Sequence, residues 1–285
     1  MTRLSRREFA FGGLCGGLGT LGALGLIGYD AYAVAPFEPL LERIELSVPR
    51  DHEQLAGLTI GFVADTHLGP SMDEEDVARA VNLLAAQQPD LALFGGDYIS
   101  ASPRFAAPSA AILGDFARRT ALGGYAVLGN HDAGEQGRDR VVTAALEGEG
   151  IAVLRNHSAE IDTGRGRLWI AGVDEALMAR ADLFATFAPI PPGAAALALW
   201  HEPDYARNTA RMGAFAQLSG HSHGGQIRLP GVGPLFLPKG GQRYVQGFNL
   251  AAGMPVYTSR GVGVFLPPVR LNCPPEVTLI TLVAR

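Results

Sequence analysis

The sequence predicts an α/β layered sandwich, and three observations carry that prediction. Short apolar runs of strand length alternate with amphipathic helical stretches, and strands alone follow. No internal repeat and no linker appear after residue 40, so residues 40–285 read as one domain. Each major apolar run stops at a polar, glycine-rich loop, the place where open α/β sheets bind ligands.

The elements follow in order. Glu38 to Val48 alternates, with Ile44, Leu46 and Val48 apolar, and reads as an edge strand. Leu58 to Asp65 is a buried strand running on to His67. Side chains two apart on a strand share a face, so Asp65 and His67 are placed to hold one metal ion together. Ser71 and Glu74 have capping-box spacing. They open a helix to about Gln88, with Val77, Val81 and Leu84 on one face and Pro89 as its stop. Leu91 to Phe94 is a second buried strand, ending in Gly95-Gly96-Asp97-Tyr98. Pro108 to Thr120 reads as helix, and Tyr125 to Leu128 as a strand ending in Gly129-Asn130-His131-Asp132. A helix over Arg138 to Glu147 precedes strands at Ala152 to Leu154 and Leu168 to Val173. Ala195 to Trp200 is a strand that delivers His201. Leu218-Ser219 leads into Gly220-His221-Ser222-His223. Glycine and proline then punctuate strands at Gln226 to Leu229, Pro255 to Ser259 and Val277 to Leu282.

Composition limits the function. The chain is 285 residues long, 47% hydrophobic and 18% charged, enough to bury a full core. Its net charge is −5, which excludes electrostatic binding of nucleic acid as the organising activity. The two cysteines, Cys15 and Cys273, lie in different contexts, and no disulfide is expected.

Residues 1–33 stand apart. Arg3, Arg6 and Arg7 against Glu8 and Asp30 give them a net +1, so the rest of the chain carries −6. Ser5-Arg6-Arg7-Glu8-Phe9 precedes an uncharged run to Tyr29, and Ala31-Tyr32-Ala33 has the small-residue spacing of a cleavage site. The segment resembles a twin-arginine export signal. That implies the twin-arginine machinery as a partner and a periplasmic, extracytoplasmic or membrane-anchored location. Cleavage after Ala33 is the first expectation and retention as an anchor the second.

The polar strand ends supply seven metal-ligand side chains: Asp65, His67, Asp97, Asn130, His201, His221 and His223. Carboxylate, amide oxygen and imidazole suit Mn, Fe or Zn. Seven are too many for one ion and fit two that share a carboxylate, with Asp97 the natural bridge.

The order Asp65-Thr66-His67, Gly96-Asp97, Gly129-Asn130-His131-Asp132, His201 and Gly220-His221-Ser222-His223 resembles the calcineurin-like metallophosphoesterases. The match spans residues 58 to 226, and every element of the signature is present. The resemblance implies a four-layer αββα sandwich. It implies one metal on Asp65, His67, Asp97 and His223, and a second on Asp97, Asn130, His201 and His221. It implies that a metal-bridging hydroxide hydrolyses phosphate mono- or diesters, with His131 as a catalytic group paired to Asp132. The tail Arg270 to Glu276, with Gly224 to Pro230, resembles an exported bacterial branch. Some members of that branch act on lipid-linked phosphates such as UDP-diacylglucosamine. The apolar stretches Leu235-Phe236-Leu237-Pro238 and Val264-Phe265-Leu266-Pro267-Pro268 then stand either as core or as cover for an acyl chain or a membrane surface.

Other residues read more plainly. His52 and His157 are surface or loop histidines. Cys273, flanked by proline with no base nearby, is structural. Tyr98 either contacts substrate or caps its strand, and Asp174 has no assigned role. The competing function is a non-catalytic metal-binding protein on the same fold. Such proteins lose ligands or the non-ligating histidine, and here none is lost. A cytoplasmic nuclease is opposed by the export signal and the acidic chain.

Overall fold

The computed structural model describes residues 26–284 apart from 101, 135 and 136. Most of the expected export segment, residues 1–25, lies outside the described residues. Along the chain, β1 (Leu40–Ser47) and β2 (Thr59–Val63) precede α1 (Glu74–Ala85), β3 (Leu91–Phe94), α2 (Ala106–Arg118), β4 (Gly124–Ala126), α3 (Arg138–Gly148) and β5 (Ile151–Val153). Next come β6 (His157–Asp162), β7 (Arg167–Gly172), α4 (Leu183–Phe187), β8 (Ala196–Leu199), α5 (Ala206–Arg211) and β9 (Ala216–Ser219). A small hairpin of β10 (Arg228–Leu229) and β11 (Gly233–Pro234) follows, then β12 (Gly247–Ala251), β13 (Met254–Thr258) and β14 (Glu276–Val283).

These strands build two six-stranded sheets, β1-β14-β2-β3-β4-β5 and β12-β13-β9-β8-β7-β6. β2 to β5 run parallel, as do β7, β8, β9 and β13. β14 enters the first sheet antiparallel to β2, and β6 and β12 close the second antiparallel. The sheets face each other through alternate residues: Ile60, Phe62, Leu93, Leu197, Leu199, Leu218 and Ile280 form a buried cluster between them. The opposite face of the first sheet, with Ala92 and Phe94, packs on Val77, Val81 and Leu84 of α1 and Leu113 and Phe116 of α2. The outer face of the second sheet, with Ala196, Ala198 and Val256, meets Phe187 of α4 and Ala206 of α5. The layers therefore run helix, sheet, sheet, helix: the αββα sandwich. Leu91 to Phe94 is buried at every position because both of its faces are covered, which is why it reads as an unbroken apolar run.

The structure corrects several local expectations. α1 is capped by Asp73, whose side chain accepts from the Asp76 amide, and it starts at Glu74; the Ser71 capping box is not used. Among the strands that sequence patterning missed, β6 and β12 are both sheet edges. β6 buries only Ser158 and Ile161, and β12 leaves Phe248 and Leu250 exposed, so neither shows a core-facing apolar run. His157 is an exposed residue opening β6. His52 is a surface residue whose ring bonds the Gly193 carbonyl. Asp174 is paired with Arg155 at 2.9 Å, and Cys273 is a buried free thiol.

The packing between the sheets predicts the cost of opening it. Leu197→Ala removes a fully buried side chain there and is expected to destabilise the fold by about 2–5 kcal/mol. A urea titration of the two proteins checks it, with an unchanged midpoint as the contrary result.

Candidate metal centre

The carboxyl ends of β2, β3, β4, β8 and β9 open on one side of the sandwich, and their loops carry all seven expected ligands. Asp65, His67, Asp97, His201, His221 and His223 are buried, and Asn130 is half-buried. Asp65, His67 and His223 form one cluster able to hold a cation, and Asp97, His201 and His221 form another. One oxygen of Asp97 lies 3.2 Å from His201 Nε2 and 3.6 Å from His67 Nε2, so a single carboxylate touches both clusters. Asp65 Oδ1 is 3.6 Å from His223 Nε2 and 3.9 Å from His201 Nε2.

Strand alternation is not what aligns Asp65 with His67. β2 ends at Val63, and both residues sit in the left-handed region, with φ of 53° and 46°. Asp97, His221 and His223 do the same, at 57°, 71° and 50°. This backbone is sparsely populated by residues with a side chain, and each instance costs about 1–3 kcal/mol unless its surroundings impose it. Here they do. The Asp65 amide donates to the Gly96 carbonyl and the His67 amide to the Asp97 carbonyl, while the His221 amide donates to the Asp65 carboxylate. Two glycines allow the close approach. A Cβ at Gly129 would run into the Asp97 carboxylate, and one at Gly220 into that of Asp65.

Asp132 does not pair with His131, contrary to expectation. Its carboxylate is fully buried and accepts from the amides of Asp97 at 2.6 Å, Tyr98 at 2.9 Å and Gly129 at 3.0 Å. It thereby clamps the loop of Asp97 to the loop of Asn130. His131 instead directs Nδ1 to the Ser100 carbonyl at 2.9 Å, and its amide donates to Asp97 Oδ1 at 2.7 Å. Its half-buried ring lies beside the His67 and Phe265 rings, with centroids 4.9 and 4.8 Å away. Tyr98 proves structural: its hydroxyl donates to the carbonyls of Phe94 and Val127, and the ring is buried.

The electrostatics suit cation binding. Burial pushes His67 down to about 3 and His221 to about 4, and pushes His223 well below the ordinary value. These rings are therefore neutral at neutral pH and carry free lone pairs. Burial raises Asp65 and Asp132 to about 7. Burial also acts on Asp97, but His201, His131 and His67 outweigh it and hold that carboxyl well below its usual range. His201 moves oppositely: Asp97 and Asp65 overcome burial and hold it well above.

A metal fits the atoms left without partners. Asn130 Oδ1 is buried and unbonded, and the buried His201 Nε2 faces the Asp97 carboxylate. The His201 Nδ1 proton is directed to the Gly95 carbonyl, which aims its Nε2 inward, and His221 Nε2 is tied to the Lys239 carbonyl. The His67 and His223 Nε2 atoms stand 3.0 Å apart, two electron-pair donors facing each other. Oxygen and imidazole donors so arranged can bind metal ions of the Mn, Fe and Zn type.

Sequence patterning missed Arg270 as part of this site. Its guanidinium is fully buried and donates to the carbonyls of Cys273, Arg260, Gly261 and Gly263 at 2.6–3.0 Å. That cradle presses Gly261 against Asp65 and Gly263 against Thr66. Gln226 is a second such residue. Its amide accepts from the Phe265 amide and donates to the carbonyls of Phe265 and Pro267. The signal available for Arg270 was an arginine set in the apolar, proline-rich run Pro267-Pro268-Val269-Arg270-Leu271.

The family model for calcineurin-like phosphoesterases matches residues 58–225, the stretch that holds all seven of these side chains. The chain belongs to that family. Among curated relatives it is 31% identical over 285 residues to the uncharacterized metallophosphoesterase YkuE of Bacillus subtilis (strain 168), covering 99% of both chains. It is 35% identical over 239 residues to the phosphodiesterase YaeI of Escherichia coli (strain K12), covering 81% of this chain and 84% of that one. Among solved structures, a NAD nucleotidase of Haemophilus influenzae aligns with a TM-score of 0.46 at 17% identity, over 72% of this chain and 45% of that one. At family level the chain is a metallophosphoesterase, a metal-binding hydrolase.

The Asp132 clamp gives a test. Asp132→Asn places an amide N–H where a backbone amide needs an acceptor, so Asp97 shifts and bound metal falls by about 10–100-fold in affinity. His131→Asn leaves metal content intact. Metal analysis of both proteins checks this, and equal metal content in both contradicts it.

Proposed function

We propose that this chain is a dinuclear metal-dependent phosphoesterase, acting outside the cytoplasm on phosphate mono- or diesters, with lipid-linked phosphoesters as its substrate class. The observation that carries the reading is the Asp97 carboxylate set between His67 of one cluster and His201 of the other. One ion is assigned to Asp65, His67, Asp97 and His223, and the other to Asp97, Asn130, His201 and His221. Held there, two such cations would supply charge neutralisation for a phosphate ester and activation of water. The chain's own residues do the rest. Gly95 and Lys239 carbonyls fix the tautomers of His201 and His221. With Nδ1 engaged by Ser100, His131 offers Nε2 to the cleft, where it stabilises charge on a phosphoryl oxygen or protonates the leaving oxygen. Asp132 serves by fixing Asp97.

The substrate class is supported by the cavity. About 510 Å³ of space opens from Asp97 and Asn130 and is walled by Leu177, Ile227, Leu235, Phe236, Phe265 and Leu266. Apolar walls beside a phosphate-binding centre suit a ligand with an apolar body and a phosphoester end. The name of the Escherichia coli relative supports a diester. Export rests on the Ser5-Arg6-Arg7-Glu8-Phe9 motif and the twin-arginine machinery it would engage.

Turnover of bis(p-nitrophenyl) phosphate with added manganese tests the chemistry. Asp97→Ala is expected to abolish it, and His131→Ala to lower kcat by about 10²–10³-fold with metal retained. An inactive, metal-loaded parent protein would leave the non-catalytic reading standing. The substrate class has its own test. Leu177→Ser and Leu235→Ser are expected to lower kcat/KM several-fold on a lipid phosphoester while sparing the soluble diester. Equal losses on both end the lipid assignment.

A further inference from the structure

We propose that this protein seats the mouth of its cleft on a bilayer bearing anionic headgroups, with the β10–β11 hairpin and residues 264–269 as the inserted rim. The proposal deepens the lipid-ester reading and rests on it for purpose, since docking lets substrate enter from the lipid side.

Three observations carry it. First, large apolar side chains stand in solvent around one opening. Val232 is 71% exposed, Phe236 73% and Leu266 71%. Phe236 and Leu266 line the cavity mouth, and Val232 tips the hairpin between Ile227 and Leu235, which also line it. Scattered singly these would be ordinary, but grouped at a cleft they mark an interaction surface. The Gln226 side chain holds the backbone of Phe265 and Pro267, and Arg228 donates to the Gly224 carbonyl, so both halves of the rim are tied to the site.

Second, the stretch of chain that forms this rim carries charge of one sign in its own sequence. Between Asp204 and Glu276 the sequence has no acidic residue, yet it has Arg207, Arg211, Arg228, Lys239, Arg243, Arg260 and Arg270, in a chain of net charge −5. Arg260 is paired with Glu42 and Glu276, and Arg270 is buried. Lys239 follows Pro238, which lines the cavity; it is exposed and joins no ion pair among the described residues, whereas the Arg243 amide is held by the Asp204 carboxylate. Apolar tips beside an unpaired Lys239, on a stretch without acidic side chains, match a surface of acyl chains under anionic headgroups.

Third, the chain enters the fold at this rim. Residues 26–34 are helical, and the Ala31 carbonyl accepts from the Arg270 amide at 2.9 Å, next to the 264–269 segment. That helix exposes Leu26, Tyr29 and Tyr32, and the uncharged sequence from Phe9 runs directly into it. Tyrosine with leucine at such a junction is the composition of a lipid–water interface. Among the described residues no helix is long and apolar enough to cross a membrane.

The test uses the full chain and no substrate, so its failure is separate from failure of the lipid-ester assignment. Val232→Trp and Leu266→Trp are the reporters, and Pro192→Trp, in the exposed turn before β8 at the far end of the sheet, is the control. Each is mixed with phosphatidylcholine vesicles with or without phosphatidylglycerol, built with brominated acyl chains, and read over the background of Trp169 and Trp200. Quenching at 232 and 266 but not at 192, several-fold stronger with phosphatidylglycerol, is the expected result. No quenching at 232 and 266, or equal quenching at all three positions, overturns the proposal. Blue-shifted emission at 232 before vesicles are added, with a doubled mass by light scattering, gives the face to a second copy and also overturns it.

Discussion

Backbone held in the left-handed region at Asp65, His67, Asp97, His221 and His223 is the constraint on which the rest of the site depends. Extended strands would send neighbouring side chains to opposite faces; a left-handed residue after the strand re-aims them into one volume. Five such positions are expensive for a marginally stable fold. They persist because loops from different strands lock one another. Asp132 gathers the amides of Asp97, Tyr98 and Gly129, and Asp65 receives the amide of His221. The site is thus a knot of loops, and the two sheets serve as the rigid bases from which the loops start.

The buried charges follow from that knot. Three carboxylates, Asp65, Asp97 and Asp132, lie out of water within one small region. Unpaired, each would be strongly disfavoured in its charged form. His201 answers Asp97, backbone amides answer Asp132, and the buried Arg270 lies close enough to lower Asp65 slightly against its burial. Arg270 also braces the 260–263 backbone behind Asp65, so one cation contributes both charge and position. The unbonded Oδ1 of Asn130 is what remains once these demands are met.

Much of this was legible in the sequence, and the limits have physical causes. Leu91 to Phe94 and Ala195 to Trp200 read correctly as strands because both faces are buried, which leaves a continuous apolar signal. Residues at the ends of those strands read as ligands because carboxylate, amide and imidazole gather there next to glycine. β6 and β12 did not read, because an edge strand with one wet face carries little hydrophobic pattern. The Asp132 expectation failed because adjacency in sequence says nothing about which way a carboxylate turns, and three amides outbid one imidazole. Arg270 was overlooked since its partners are carbonyls, which no residue pattern records.

The position of β14 has a consequence for how the chain reaches this state. Residues 276–283 sit between β1 and β2, pairing with Leu40–Ser47 on one side and with Thr59–Phe62 on the other. During synthesis β2 therefore waits more than two hundred residues for its neighbour, exposing an unpaired edge meanwhile. The β1-β14-β2 side of the first sheet can close only after residue 283 has been made, whereas β2 to β5 pair through residues made earlier. Closure of that side of the sheet is therefore among the last pairings the growing chain can make.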